Sequence, residues 1–116
     1  MSTRKCVLLS VNKTCRLLEL SKDDDAYAEE LCRHVGGYFS LLPHKDQPSS
    51  LTAYANDNGL NDGLSANMWH GWLIEHGFMD YYGMTFVGDI VLTGGQTPTG
   101  RDRSVPASIL TELELG

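Results

Sequence analysis

The sequence predicts a small α+β domain: a mostly antiparallel sheet, two packed helices and a short C-terminal helix, in the order β-β-α-β-β-α-β-α. Three observations lead there. Short apolar stretches with alternating pattern are bounded by turn residues. Stretches of helical period, with capping residues before them and glycine after them, are interleaved with those strands. The chain has 116 residues and is 41% hydrophobic, enough for one core without disulfide staples.

The first element is a hairpin over residues 4–20. Val7, Leu9 and Val11 alternate, and Leu18 and Leu20 answer them after a turn at Asn12-Lys13. A helix follows in "SKDDDAYAEELCRHVGG". Ser21 or one of the three aspartates caps its start, where negative charge is favoured. Tyr27, Leu31 and Val35 form its apolar stripe, and Gly36 is placed to end it in the left-handed conformation. "YFSLLP" reads as a short strand stopped by Pro43, and "LTAYANDNGL" as a strand that runs into an Asn/Asp/Gly turn. Ser65 and Gly77 bracket a second helix. "GMTFVGDIVLTGG" reads as a strand with a bulge or bend at Gly88-Asp89. Ser104, Pro106 and the apolar trio Ile109, Leu110 and Leu113 predict the last helix, docked on its own domain or on a neighbour. The organisation is therefore a domain over 1–95, a polar linker over 96–105 and a docking helix over 106–116.

Composition narrows the function. Nine basic residues face fifteen acidic ones, a net charge of −6, so direct nucleic-acid binding through phosphate neutralisation is disfavoured. The acidic balance suits solubility or a partner with a basic surface. No apolar run reaches the ~18 residues of a membrane span. The apolar run near the N-terminus breaks at Asn12 and Lys13, too early for a signal peptide. Cys6, Cys15 and Cys32 are odd in number and lack CxxC spacing, which fits free thiols in a reducing cytoplasm and predicts no metal site and no cofactor.

The chemically richest stretch is "GLSANMWHGWLIEHG". On a helix Trp69, Trp72, Leu73 and His76 share one side. His70 and His76 are six apart, which does not bring both imidazoles to one helical face as HExxH does. The simplest reading is a helix whose tryptophans close the core or an interface. Large aromatics also make interface hot spots, so Trp69, Trp72, His76, Tyr81 and Tyr82 are the expected partner- or ligand-binding residues. "TGGQTPTG" lacks the GK[ST] of a P-loop, but its backbone amides could cradle an anion with Arg101 or Arg103. Asp57, Asp62 and Asp89 are explained by turn chemistry. No catalytic residue is assigned. A small hydrolase would need His76 within hydrogen-bond reach of Asp80 or Asp89.

Several spaced elements resemble one known family. Gly36, Gly37 and Tyr38 follow a helix; Asn56 and Gly59 close a strand; Leu64 and Asn67 precede a short helix; Gly88, Asp89 and Gly94 lie on the last strand. In that order they resemble the domain-of-unknown-function family numbered 3846, found in phages, plasmids and actinobacteria. The resemblance implies a viral, phage or mobile-element accessory protein and carries no activity with it. The expected function is accordingly a non-catalytic protein that binds a host macromolecule in the host cytoplasm, with a role in countering host defence. The alternative is a protein that binds or sequesters a small anionic ligand such as a signalling nucleotide, using stackable Tyr54, Trp69, Trp72, Tyr81 and Tyr82, with a site shared between subunits of a homo-oligomer.

Overall fold

A computed structural model describes residues 3–46, 49–59, 62–80, 83 and 85–116. Its elements are β1 (Thr3–Leu9), β2 (Cys15–Ser21), α1 (Asp24–Val35), β3 (Phe39–Leu41), β4 (Leu51–Asn56), α2 (His70–Glu75), β5 (Ile90–Gly94) and α3 (Ala107–Glu112). The strands make one five-stranded sheet in the order β2-β1-β5-β4-β3. Every pairing is antiparallel. The fold is thus the α+β class expected, with α1 on one face of the sheet and α2 and α3 on the other.

Register shows why the hairpin holds apolar residues at both parities. Cys6 pairs with Leu18 and Val7 with Leu17. Leu18 and Leu20 therefore share a face with Cys6 and Leu8, and they lie opposite Val7 and Leu9. The expected match of Val7 and Leu9 with Leu18 and Leu20 on one face is replaced by a hairpin buried on both sides. Cys6, Leu8, Leu18, Leu20, Tyr54 and Val91 pack against Tyr27, Leu31 and Val35 of α1. Val7, Leu9, Ala53, Ile90 and Leu92 pack against Trp69, Leu73, Phe78, Ile109 and Leu110. A buried aliphatic or aromatic side chain contributes about 1.5–3 kcal/mol, so two faces together make a sufficient core.

The α1 ends follow local rules. Asp23 is the cap, its carboxylate accepting from the Ala26 amide at 2.9 Å. Gly36 takes the left-handed conformation at φ 82°. Asn56 ties this end to the sheet by donating to the Val35 carbonyl at 3.1 Å.

The other helices are shorter than their patterns suggest. Ser65 does not open α2. Instead Ala66 bridges to Val87, and Asn67, buried, donates to the Leu9 and Gly88 carbonyls and accepts from the Trp69 amide. Extended backbone at 66–67 is needed for these contacts, so the helix begins only at His70. The same bridge, with Gly88 at φ 75°, confines β5 to residues 90–94. Ser104 likewise is not the cap of α3; its hydroxyl accepts from the Lys5 amide. Ile109, Leu110 and Leu113 bury against this same chain, so α3 docks in cis.

The segment 96–105 lies against the domain along its length. Gln96 bridges Asp102 around a turn at Thr97–Gly100. Gly94 and Arg103 pair, and the Val105 amide donates to the Lys5 carbonyl. Gly94 allows this approach, because a Cβ there would run into the Ser104 carbonyl oxygen. The hairpin is thereby laid over the sheet face that α1 covers only in part.

Candidate functional site

Alternation along β1 puts Arg4 in phase with Cys6 and Leu8, so a charged side chain enters the α1 face of the sheet. Arg4 is 3% exposed. Its guanidinium stacks 4.0 Å above the Tyr27 ring. Nη1 donates to the Asp102 carbonyl at 3.0 Å. Nε has no hydrogen-bond partner. No carboxylate of the described residues lies within 4.0 Å of the guanidinium, so the charge is held by a ring face and one carbonyl.

The Asp102 side chain is the second centre. It is 8% exposed. One oxygen accepts from both the Tyr27 and Tyr54 hydroxyls at 2.6 Å, and the other faces the Gln96 amide at 3.4 Å. Hydrogen bonds to an ionised acceptor are short and strong, and they make burial of the carboxylate tolerable. Burial first, and then the bond to Asp102, push both tyrosine hydroxyls far above their usual range. Burial likewise raises the nearby Cys6 thiol to about 12, so it stays protonated and inert.

Around these groups is a cleft of about 490 Å³, between α1 and the 96–102 hairpin. Arg4, Tyr27, Tyr54 and Asp102 line it at depth. Ala28, Leu31 and Phe39 form an apolar wall, and Asp24, Thr99, Gly100 and Arg101 form the rim. Arg101 reaches Asp24 at 3.4 Å across the mouth. Both side chains are well exposed, so the pair is weak and opens at little cost.

The expected site residues are distributed differently. Arg101 is at this rim. Trp69 and Trp72 lie on the opposite face of the sheet, packed edge to face at 5.7 Å. Trp69 is buried and its indole donates to the Thr14 carbonyl at 3.1 Å, stapling α2 to the first hairpin. Trp72 and His76 both bond the Glu112 carboxylate, at 2.7 and 2.8 Å, clasping α3 to α2. The His76 bond pulls the Glu112 carboxyl below its usual value. Tyr81 and Tyr82 lie outside the described residues. Because Tyr54 and the tryptophans face opposite sides of the sheet, they cannot stack on one ligand within one chain.

The imidazoles do not converge. His70 faces Asp80 at 3.5 Å, while His76 faces Glu112. Asp89 accepts from the Val11 amide and serves the turn. The His76 pairing with Asp80 or Asp89 that a hydrolase would need is not formed among the described contacts. No group of three or more His, Cys, Asp or Glu converges among the described residues. Nor is any helix of the described residues long and apolar enough to cross a membrane.

Arg4, Tyr27 and Asp102 are absent from the sequence-based site because 98 residues separate Arg4 from Asp102. One signal for Arg4 exists, a basic residue in phase with the buried side of an alternating strand. The class defined so far is an α+β protein with an antiparallel sheet and a charged cleft beneath one helix. No family model, curated protein or solved structure matches the chain.

Proposed function

We propose that this is a non-catalytic binding protein whose ligand is a small molecule carrying an oxyanion, seated in the cleft over Arg4. The observation that supports this reading is the open edge of Arg4. A buried guanidinium ordinarily finds a carboxylate or several carbonyls, because an unpaired buried charge is costly. Here one donor is bonded and Nε is not. An oxyanion entering from the cleft would complete the guanidinium. Ligand sites commonly hold a few fixed polar groups beside apolar surface, and here Ala28, Leu31 and Phe39 supply that surface.

A panel of simple carboxylates and phosphates tests the reading by thermal shift. A ligand at about 100 times its Kd stabilises by about 2.7 kcal/mol. The wild-type protein should shift, and Ala28→Trp, which fills the cleft from the α1 side, should not. No shift with any anion, or equal shifts in both proteins, would remove the reading.

A second reading keeps a host macromolecule as partner. Met68, Ile74 and Met79 are 64%, 40% and 44% exposed and flank or lie on α2. Adaptable methionine surfaces beside the acidic Glu75, Asp80 and Glu112 suit a partner with a basic, partly apolar surface. Ile74→Glu should abolish such an interaction, and raised salt should weaken it.

A further inference from the structure

Resting on the small-ligand reading, we infer that the ligand of the Arg4 cleft is a monoanionic amphiphile: a carboxylate head on a compact apolar body, in preference to a nucleotide. Three features of the cleft carry this.

The first is the shape of the open donor edge. In a guanidinium, Nε–H and one Nη2–H point the same way and form a planar fork that matches the two oxygens of a carboxylate. In Arg4 the bonded atom is Nη1, turned to the Asp102 carbonyl. That is the only side-chain bond of Arg4 among the described residues, so the Nε/Nη2 edge is the one left without partners. The ring of Tyr27, 4.0 Å from the guanidinium carbon, fixes the plane of the fork. Nε is shielded from solvent, so the incoming head meets Nη2 first and must displace the packing over Nε to complete the fork.

The second is charge. The cleft residues carry two positive groups, Arg4 and Arg101, and two negative groups, Asp24 and Asp102. Both tyrosine hydroxyls donate to the Asp102 carboxylate, so it has no donor left to offer an incoming anion. A monoanion can take the Arg4 edge and exchange with Asp24 for Arg101. A phosphate monoester, at about −1.5 to −2 at pH 7, brings a second charge against two carboxylates. The balance selects one negative charge over two.

The third is the wall. Ala28, Leu31 and Phe39 offer apolar surface above the charged floor. Among the described residues of the cleft, no pair of open aromatic faces is present to sandwich a base. One face of Tyr27 is covered by Arg4, and the Tyr54 ring is engaged with Phe39 edge to face at 5.2 Å. Both tryptophans are on the far side of the sheet. A nucleotide would thus find neither stacking nor charge balance, whereas a short aliphatic or single-ring body fits against the wall.

Calorimetric and NMR titrations of the full chain with phenylacetate, acetate, phenyl phosphate and AMP separate the alternatives. Phenylacetate should bind at least about tenfold tighter than acetate or AMP, a difference of about 1.4 kcal/mol or more. The amides of Arg4, Ala28, Leu31 and Asp102 should move on binding. Arg4→Lys, which keeps charge and loses the fork, should weaken phenylacetate by about tenfold or more. Should that variant fail to fold, Ala28→Trp serves in its place by blocking the wall. If AMP or phenyl phosphate binds more tightly in this same cleft, the ligand class is overturned while the anion-binding reading stands. If none of the four moves these amides, both fall.

Discussion

Asp102→Ala is the sharpest perturbation of the cleft. It strips the acceptor from two buried hydroxyls, Tyr27 and Tyr54, each bonded to the same carboxylate oxygen at 2.6 Å. A buried polar group left unsatisfied costs about 1–3 kcal/mol, so the two together cost about 2–6 kcal/mol. Release of a buried carboxylate from its own desolvation offsets part of this, and about 3 kcal/mol should remain. That is a large share of the roughly 5–15 kcal/mol that stabilises a domain. Urea unfolding should show it as a lower midpoint at unchanged slope. Asp102→Asn keeps an oxygen acceptor and loses only the charge assistance, so it should cost about half as much. The network also demands coupling. Tyr27→Phe and Tyr54→Phe should each destabilise the wild-type protein by about 1 kcal/mol, yet be nearly neutral or stabilising when Asp102 is already alanine. If Asp102→Ala costs less than about 1 kcal/mol, or if the tyrosine effects simply add to it, the buried network is not what holds the hairpin over the sheet.

Other consequences follow from the same geometry. Gly94→Ala drives a Cβ into the Ser104 carbonyl and should lift the 96–103 hairpin, with a loss of about 2 kcal/mol or more by thermal unfolding and faster hydrogen exchange at Arg103 and Val105. Stability should fall in alkali. Cys6 and the two tyrosines hold their protons in the folded state beyond the pH at which unfolded thiols and phenols lose theirs, about 8.5 and 10. Their contribution is complete below pH ~8.5 and declines above it, because the unfolded state then binds fewer protons; unchanged urea midpoints between pH 8 and 11 would contradict this. Glu112 has the opposite sign. Its folded value is depressed by His76, so the α2–α3 clasp is present above the usual glutamate pKa of about 4.3 and weakens as pH falls through it. Glu112→Gln should remove that acid-range loosening of α3, read by hydrogen exchange at Leu113. Asn67→Ala should cost about 2–4 kcal/mol in urea, since it leaves the Leu9 and Gly88 carbonyls and the Trp69 amide without their partner.

Local chemistry was the legible part of this fold. The stripe of Tyr27, Leu31 and Val35, an aspartate cap and Gly36 define α1 within a residue or two, because each acts over one turn. Turn residues at 12–13 and 56–59 mark where the chain reverses. Patterns that depend on distant partners are less legible. Residues 65–69 look helical, yet Asn67 spends its side chain on the Leu9 and Gly88 carbonyls and holds the backbone extended. "TPTGRDRS" looks like a linker because it is polar, but Asp102 is polar for the sake of two tyrosines supplied by α1 and β4.

The cleft was the least legible feature. Tyr27 reads as one member of a core stripe, and its hydroxyl becomes informative only once Asp102 is beside it. Arg4 reads as a flank of the first strand, and its phase with Cys6 and Leu8 is the single hint of an inward charge. Conversely, the aromatic run at 69–76 resembles a site by composition alone. Its tryptophans hold the hairpin turn and α3 in place through Thr14 and Glu112.

The most direct test of a carboxylate seat at Arg4 is the Nε–H resonance of that side chain in a nitrogen–proton NMR spectrum, followed as phenylacetate is added. The account predicts a downfield shift that saturates with the same midpoint as the backbone amides of the cleft. An Arg4 Nε–H signal that stays in place while phenylacetate saturates the protein elsewhere would contradict it.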